Sequence, residues 1–120
     1  MQTGRLTLVL AALTLLGCAR ALTLVISTDL SYFFGNKPPN NVLCYTTAIR
    51  KPTILPVTVT RTDPNGKAIN FVTINAEKYS PIGFTVDMTS GQLGTSSIGY
   101  KINGPIALPY AIIINMYCTP

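Results

Sequence analysis

The sequence predicts an all-β fold: a small single-domain antiparallel β-sandwich, or a partly open barrel, of about seven strands. Two observations carry this. Val, Ile, Thr, Tyr and Phe recur in short runs that alternate with polar residues, and the runs are broken by Gly, Pro, Asn and Asp. Beyond the N-terminal segment no stretch sustains a period of 3.6, so a helical core has no sequence to build it.

The N-terminal segment is a targeting signal by composition. Arg5 supplies a positive start, Leu6–Gly17 an apolar run of twelve, and Ala19-Arg20-Ala21 a small-x-small cleavage site. Residues 1–21 are therefore expected to be a secretory signal peptide and residues 22–120 a single β domain, secreted to an extracellular setting. Twelve apolar residues are too few to span a bilayer, and no later run is long enough, so no integral membrane segment is expected. "LLGC" (Leu15–Cys18) offers a second reading, a bacterial lipoprotein anchored at Cys18. It ranks lower because "ARALTLVIS" runs almost at once into strand pattern rather than a polar tether.

The expected strands, in order, are Leu22–Ser27, Val42–Ile49, Thr53–Arg61, Ala68–Ile74, Gly83–Ser90, Thr95–Ile102 and Tyr110–Tyr117. Between the first two lies "TDLSYFFGNKPPNN" (Thr28–Asn41), read as a loop. Its aromatics Tyr32, Phe33 and Phe34 either fold back as a lid over the core or form a recognition loop. Pro52 and Pro56 place the third strand at a sheet edge, because proline cannot donate to an interior ladder. "TDPNGK" (Thr62–Lys67) has turn chemistry, with Pro64 at the first corner and Gly66 free to take positive φ, so the third and fourth strands are expected to form a hairpin. "NGP" (Asn103–Pro105) marks a further break.

The fifth and sixth strands are joined by "TSGQLGTSSIGYKI" (Thr89–Ile102), whose glycines and hydroxyls raise the question of a phosphate loop. A phosphate-cradling GxxxxGK[ST] feeds a helix, whereas here Gly94 leads through Thr95-Ser96-Ser97 into strand pattern with no lysine in place. A hairpin accounts for more. Phe84, Val86 and Met88 share one face and Ile98, Tyr100 and Ile102 another, so paired positions must have an even sum, such as 86 with 98 or 100. That parity asks for an odd-numbered loop with a bulge, with Gly91 or Gly94 at positive φ, and it puts Asp87 near Lys101 on the outer face.

Once Cys18 is removed or lipidated, Cys44 and Cys118 remain, and an even pair in an oxidising compartment favours one disulfide. It would close a loop of 74 positions, for which chain entropy gives roughly 4 kcal/mol. A closed zinc site usually wants four soft ligands; two cysteines and no histidine fall short, and no cofactor motif occurs.

Charge and residue inventory narrow the function classes. Residues 22–120 hold seven basic side chains and four acidic ones, net +3, and only Arg50 and Lys51 are adjacent. That is not the basic stripe a phosphate backbone requires, so nucleic acid is not an expected partner. The absence of histidine removes the commonest general base and every Ser-His or Cys-His pair. Four scattered acids give paired-carboxylate chemistry no motive, so the protein is read as not an enzyme. Two classes remain: an extracellular binding or carrier module for a protein or a small apolar ligand, and a structural or defensive protein acting through its surface, with association along the edge strand near Pro52–Arg61.

The order "INFVTINAEKY", "GFTVDMTSGQLGTSSIGYKI" and a terminal "YAIIINMY", over Ile69–Tyr117, resembles the small secreted insect proteins of the multiprotein bridging factor 2 family. The resemblance implies a signal peptide, about a hundred residues of β pattern and a glycine-rich turn before an alternating strand. Gln92 stands where that family has a second glycine, and "NGPIALP" where it has a Ser/Gly-rich loop. No catalytic motif carries over. The coactivator role attached to the family implies an intracellular site, with which the signal peptide conflicts.

Overall fold

The computed structural model describes residues 27–120. The expected signal peptide, Cys18 and all but the last residue of the expected first strand lie outside the described residues. Seven strands follow: β1 (Ser31–Gly35), β2 (Val42–Ile49), β3 (Val57–Thr62), β4 (Ile69–Ala76), β5 (Thr85–Gly91), β6 (Ser97–Asn103) and β7 (Ile112–Cys118). All pairings are antiparallel. A four-stranded sheet in the order β1-β4-β7-β2 faces a three-stranded sheet in the order β3-β6-β5, an open sandwich. No helix among the described residues is long and apolar enough to cross a membrane.

The core comes from the central strands, with burial alternating strictly along β7. Along β7, Ile112, Ile114, Met116 and Cys118 are buried while Ile113, Asn115 and Tyr117 are half-buried on the other face. Ile98, Tyr100 and Ile102 of β6 answer them from the facing sheet, with Phe84, Tyr110, Val72 and Ile74 filling the space between. Each such aliphatic or aromatic side chain contributes about 1.5–3 kcal/mol by leaving water. β7 and β6 can be buried on their inner faces over their whole length because each has strand neighbours on both sides.

Two expectations are corrected. The segment read as a loop contains β1: Tyr32 and Phe34 point inward, onto Phe84 (ring centroids 5.3 Å apart) and Tyr100 (4.9 Å), while Phe33 points out. Three adjacent aromatics conceal a period of two, because side chains of both faces are apolar. Likewise "TDPNGK" makes the expected turn, with Gly66 N–H donating to Asp63 O at 3.1 Å and Gly66 at φ 69°, but it does not join a hairpin. β3 pairs with β6 and β4 with β1 and β7, so the turn arches from one sheet to the other. Asp63 makes this possible: its Oδ2 accepts the N–H groups of Asn65 (3.1 Å) and Lys67 (2.9 Å), which a hairpin ladder would otherwise have to satisfy.

The β5–β6 hairpin keeps the expected parity. Val86 pairs with Ile102, Asp87 with Lys101 and Met88 with Tyr100, all even sums, before a bulge between Met88 and Ser90. The partner of Val86 is Ile102 rather than residue 98 or 100, because the loop 92–96 is longer than parity alone requires. Gly91 and Gly94 both take positive φ, 65° and 85°. The loop closes one end of the sandwich: Ile69 N–H donates to Thr95 O and Gly94 N–H to Ile69 O, both at 2.8 Å, and Leu93 packs against the core. "GQLG" is thus a turn. β3 lies at a sheet edge as expected, but it begins at Val57 rather than Thr53, so Pro52 and Pro56 fall before the strand instead of lying within it.

Candidate functional site

Among the described residues, chain-distant parts build a cleft at the end of the β2/β3 side. Cys44 arises at a bulge in β2, between Leu43 and Tyr45, where the extra residue allows its side chain to reach Cys118, the last residue of β7. The two form a disulfide with Cα atoms 5.7 Å apart, tying the early strand to the last one as the cysteine count implies. The cleft beside it has a volume of about 320 Å³ and is lined by Val42 and the disulfide together with Arg61, Asp63 and Lys67.

Each charged group at the cleft has a defined position. Arg61 ends the half-buried face of β3 and lays its guanidinium over the Tyr45 ring, 4.3 Å from the centroid, a cation–π contact that joins the two sheets. Asp63 is buried and holds the arch as described above. Lys67 Nζ donates to Pro120 O at 3.0 Å. Among the described residues no carboxylate forms an ion pair with Arg61, so it is the charged group there least committed to the chain itself.

A carboxylate oxygen of Asp63 and the sulfurs of Cys44 and Cys118 lie within 4.8 Å of one another. While the sulfurs are bonded to each other they are not thiolates, so this trio is a carboxylate beside a disulfide and not a closed metal-ligand set.

The other residues singled out by sequence lie elsewhere. Tyr32, Phe33 and Phe34 belong to an edge strand on the far side of the molecule from the cleft, and only Phe33, at 64% exposed, faces outward. It stacks on Phe71 (6.4 Å, 9° between planes), which meets Tyr117 (5.8 Å), with Lys37 5.4 Å above the Tyr117 ring. Tyr32 OH donates to the Phe84 carbonyl and Tyr110 OH to that of Ile82 at 2.8 Å. Burial pushes the Tyr100 hydroxyl up to about 12 and raises those of Tyr32 and Tyr110 above the usual phenol value. Glu77 Oε1 accepts the Ala111 N–H at 3.3 Å, and Tyr79 is exposed. Sequence reasoning missed Arg61, Asp63 and Lys67 as a group. Their only signal is that they flank one turn, and the arch between sheets is what gathers them.

No family model, curated protein or solved structure matches this chain.

Proposed function

We propose that the chain is an exported, non-enzymatic binding module that takes a small, largely apolar ligand bearing one anionic group into the cleft beside Cys44–Cys118. The observation that carries this reading is the cleft itself: about 320 Å³, with Val42 and the disulfide as apolar lining and the Arg61 guanidinium, stacked on Tyr45, as a cationic group uncommitted to a carboxylate among the described residues. That volume falls at the small end of the range for ligand pockets, about 300–1,000 Å³. The stacked Arg61 is pre-organised, so pairing with a ligand anion loses little side-chain entropy. The space between the sheets is filled by Phe84, Tyr100, Tyr110 and the isoleucines, which favours the cleft over an internal cavity. Export agrees with the signal-like N-terminus and with the disulfide.

The test is a fluorescence titration of the secreted protein with anilinonaphthalene sulfonate, an apolar anion. Saturable one-site binding is expected, weakened at least about tenfold by Arg61→Gln and less by Arg61→Lys. Absence of saturable binding, or equal binding by Arg61→Gln, overturns the proposal.

A further inference from the structure

Among the described residues four strands lie at sheet edges, and they are guarded unequally. β3 follows Pro56 and turns Arg61 toward the facing sheet; β5 carries Asp87 and a bulge at Thr89; β2 carries a bulge at Cys44. These are the devices by which sheets avoid pairing with other chains. β1, "SYFFG", has no charge, proline or bulge.

Its pairing with β4 fixes where its backbone points. Ala76 N–H donates to Leu30 O at 2.8 Å, so the Leu30–Ala76 pair is a hydrogen-bonded one in the register that continues as Ser31↔Asn75 and Tyr32↔Ile74. Antiparallel alternation then directs the N–H and C=O of Tyr32 and Phe34 to β4 and those of Ser31, Phe33 and Gly35 outward, toward the open edge. At Phe33 an outward backbone and a largely exposed apolar side chain coincide.

We propose that β1 is a self-association edge: two copies of this chain pair β1 antiparallel to β1 about Phe33, merging their four-stranded sheets into one. In that two-fold register Phe33 faces Phe33 of the second copy and Ser31 faces its Gly35, so every outward backbone group of the strand gains a partner. Side chains agree. The row Tyr117–Phe71–Phe33 on one outer face meets its own mirror, and the two Phe33 rings become cross-strand neighbours. Asp29 and Lys37 lie outside the pairing: the Asp29 carbonyl accepts the Phe84 N–H at 3.0 Å and Lys37 sits over the Tyr117 ring, so neither extends the edge. A second copy therefore fits this edge in backbone hydrogen bonding and apolar contact at once.

The experiment is sedimentation equilibrium of the full secreted protein over a wide concentration range, with amide hydrogen exchange at both extremes. A monomer–dimer equilibrium is expected, in which Ser31, Phe33 and Gly35 amides gain protection with concentration while Tyr32 and Phe34 are protected throughout. Phe33→Lys should weaken the dimer by about tenfold or more without changing the thermal midpoint of the monomer. Phe33→Tyr, which keeps an aromatic ring at the cross-strand position, should leave the dimer within about threefold of its original strength, so that loss of pairing is read against a variant that keeps the contact. The proposal is overturned by a monomer at every concentration, including one whose β1 edge is protected by its own N-terminal segment. It is equally overturned by a dimer indifferent to Phe33→Lys, or by one in which the Ser31 and Phe33 amides gain no protection.

Discussion

The two long sides of the sandwich are closed by different means. On the β2/β3 side a disulfide, the Arg61–Tyr45 contact and the Asp63 arch hold the sheets, and both edges carry a bulge, a proline or a charge. On the β1/β5 side the closure is aromatic: Tyr32 on Phe84, Phe34 on Tyr100 and Phe84 on Tyr110, at ring separations of 5.3, 4.9 and 6.2 Å. The difference teaches how a small domain divides its constraints. The disulfide and the charged groups gather at the cleft, and aromatic packing sits behind β1.

Breaking the disulfide should have the largest effect. Cys44→Ala/Cys118→Ala is expected to lose roughly 4 kcal/mol in urea unfolding, since the loop it closes spans 74 positions. On the opposite side Phe34→Ala should cost about 2 kcal/mol, from the lost burial and the lost contact with Tyr100. If Phe34→Ala proves the more damaging, the ranking of the two sides is reversed. Asp63→Ala, which leaves the N–H groups of Asn65 and Lys67 without their acceptor, should cost about 1–2 kcal/mol and distort the cleft, read as weaker probe binding.

Alkali sharpens the same contrast. Tyr32, Tyr100 and Tyr110 are all tied to the aromatic side, and burial raises each hydroxyl, that of Tyr100 to about 12. Between pH 10 and about 12 the unfolded chain releases phenolic protons that the folded one retains, so stability is intact below pH 10 and falls as pH rises through that window. Unfolding midpoints across this range should decline, with exchange rising first around β1 and Phe84. The smallest effect is expected from Tyr100→Phe at neutral pH. The Tyr100 hydroxyl is buried with no hydrogen-bond partner among the described residues, so its removal should be neutral or stabilising by up to about 1 kcal/mol and should flatten the alkaline decline.

Much of the fold was legible wherever one face was apolar and the other was not. The even pairing sums of Val86, Met88 and Ile102 follow from alternation alone, and they also called for a bulge, whose place after Met88 only the structure gives. Where both faces are apolar the pattern fails, and Tyr32-Phe33-Phe34 is read as a loop. The turn at Pro64–Gly66 was legible as chemistry but not as topology, because the same corner serves a hairpin or an arch. The cleft was invisible for a related reason: Arg61 and Lys67 look like two scattered surface cations until the arch brings them beside Cys118.

By itself the amino-acid sequence determined which residues turn inward where one face alone is apolar, where the chain bends and which two cysteines remain to be joined. These are local consequences of the pleat, of glycine and proline torsions and of thiol arithmetic. Only the tertiary structure decided that β3 and β4 part company, that β1 occupies an unguarded edge and that a cleft opens at the disulfide. Backbone ladders offer nearly the same hydrogen bonds to any strand, so the choice among distant partners falls to side-chain packing across the whole core, which no single segment encodes.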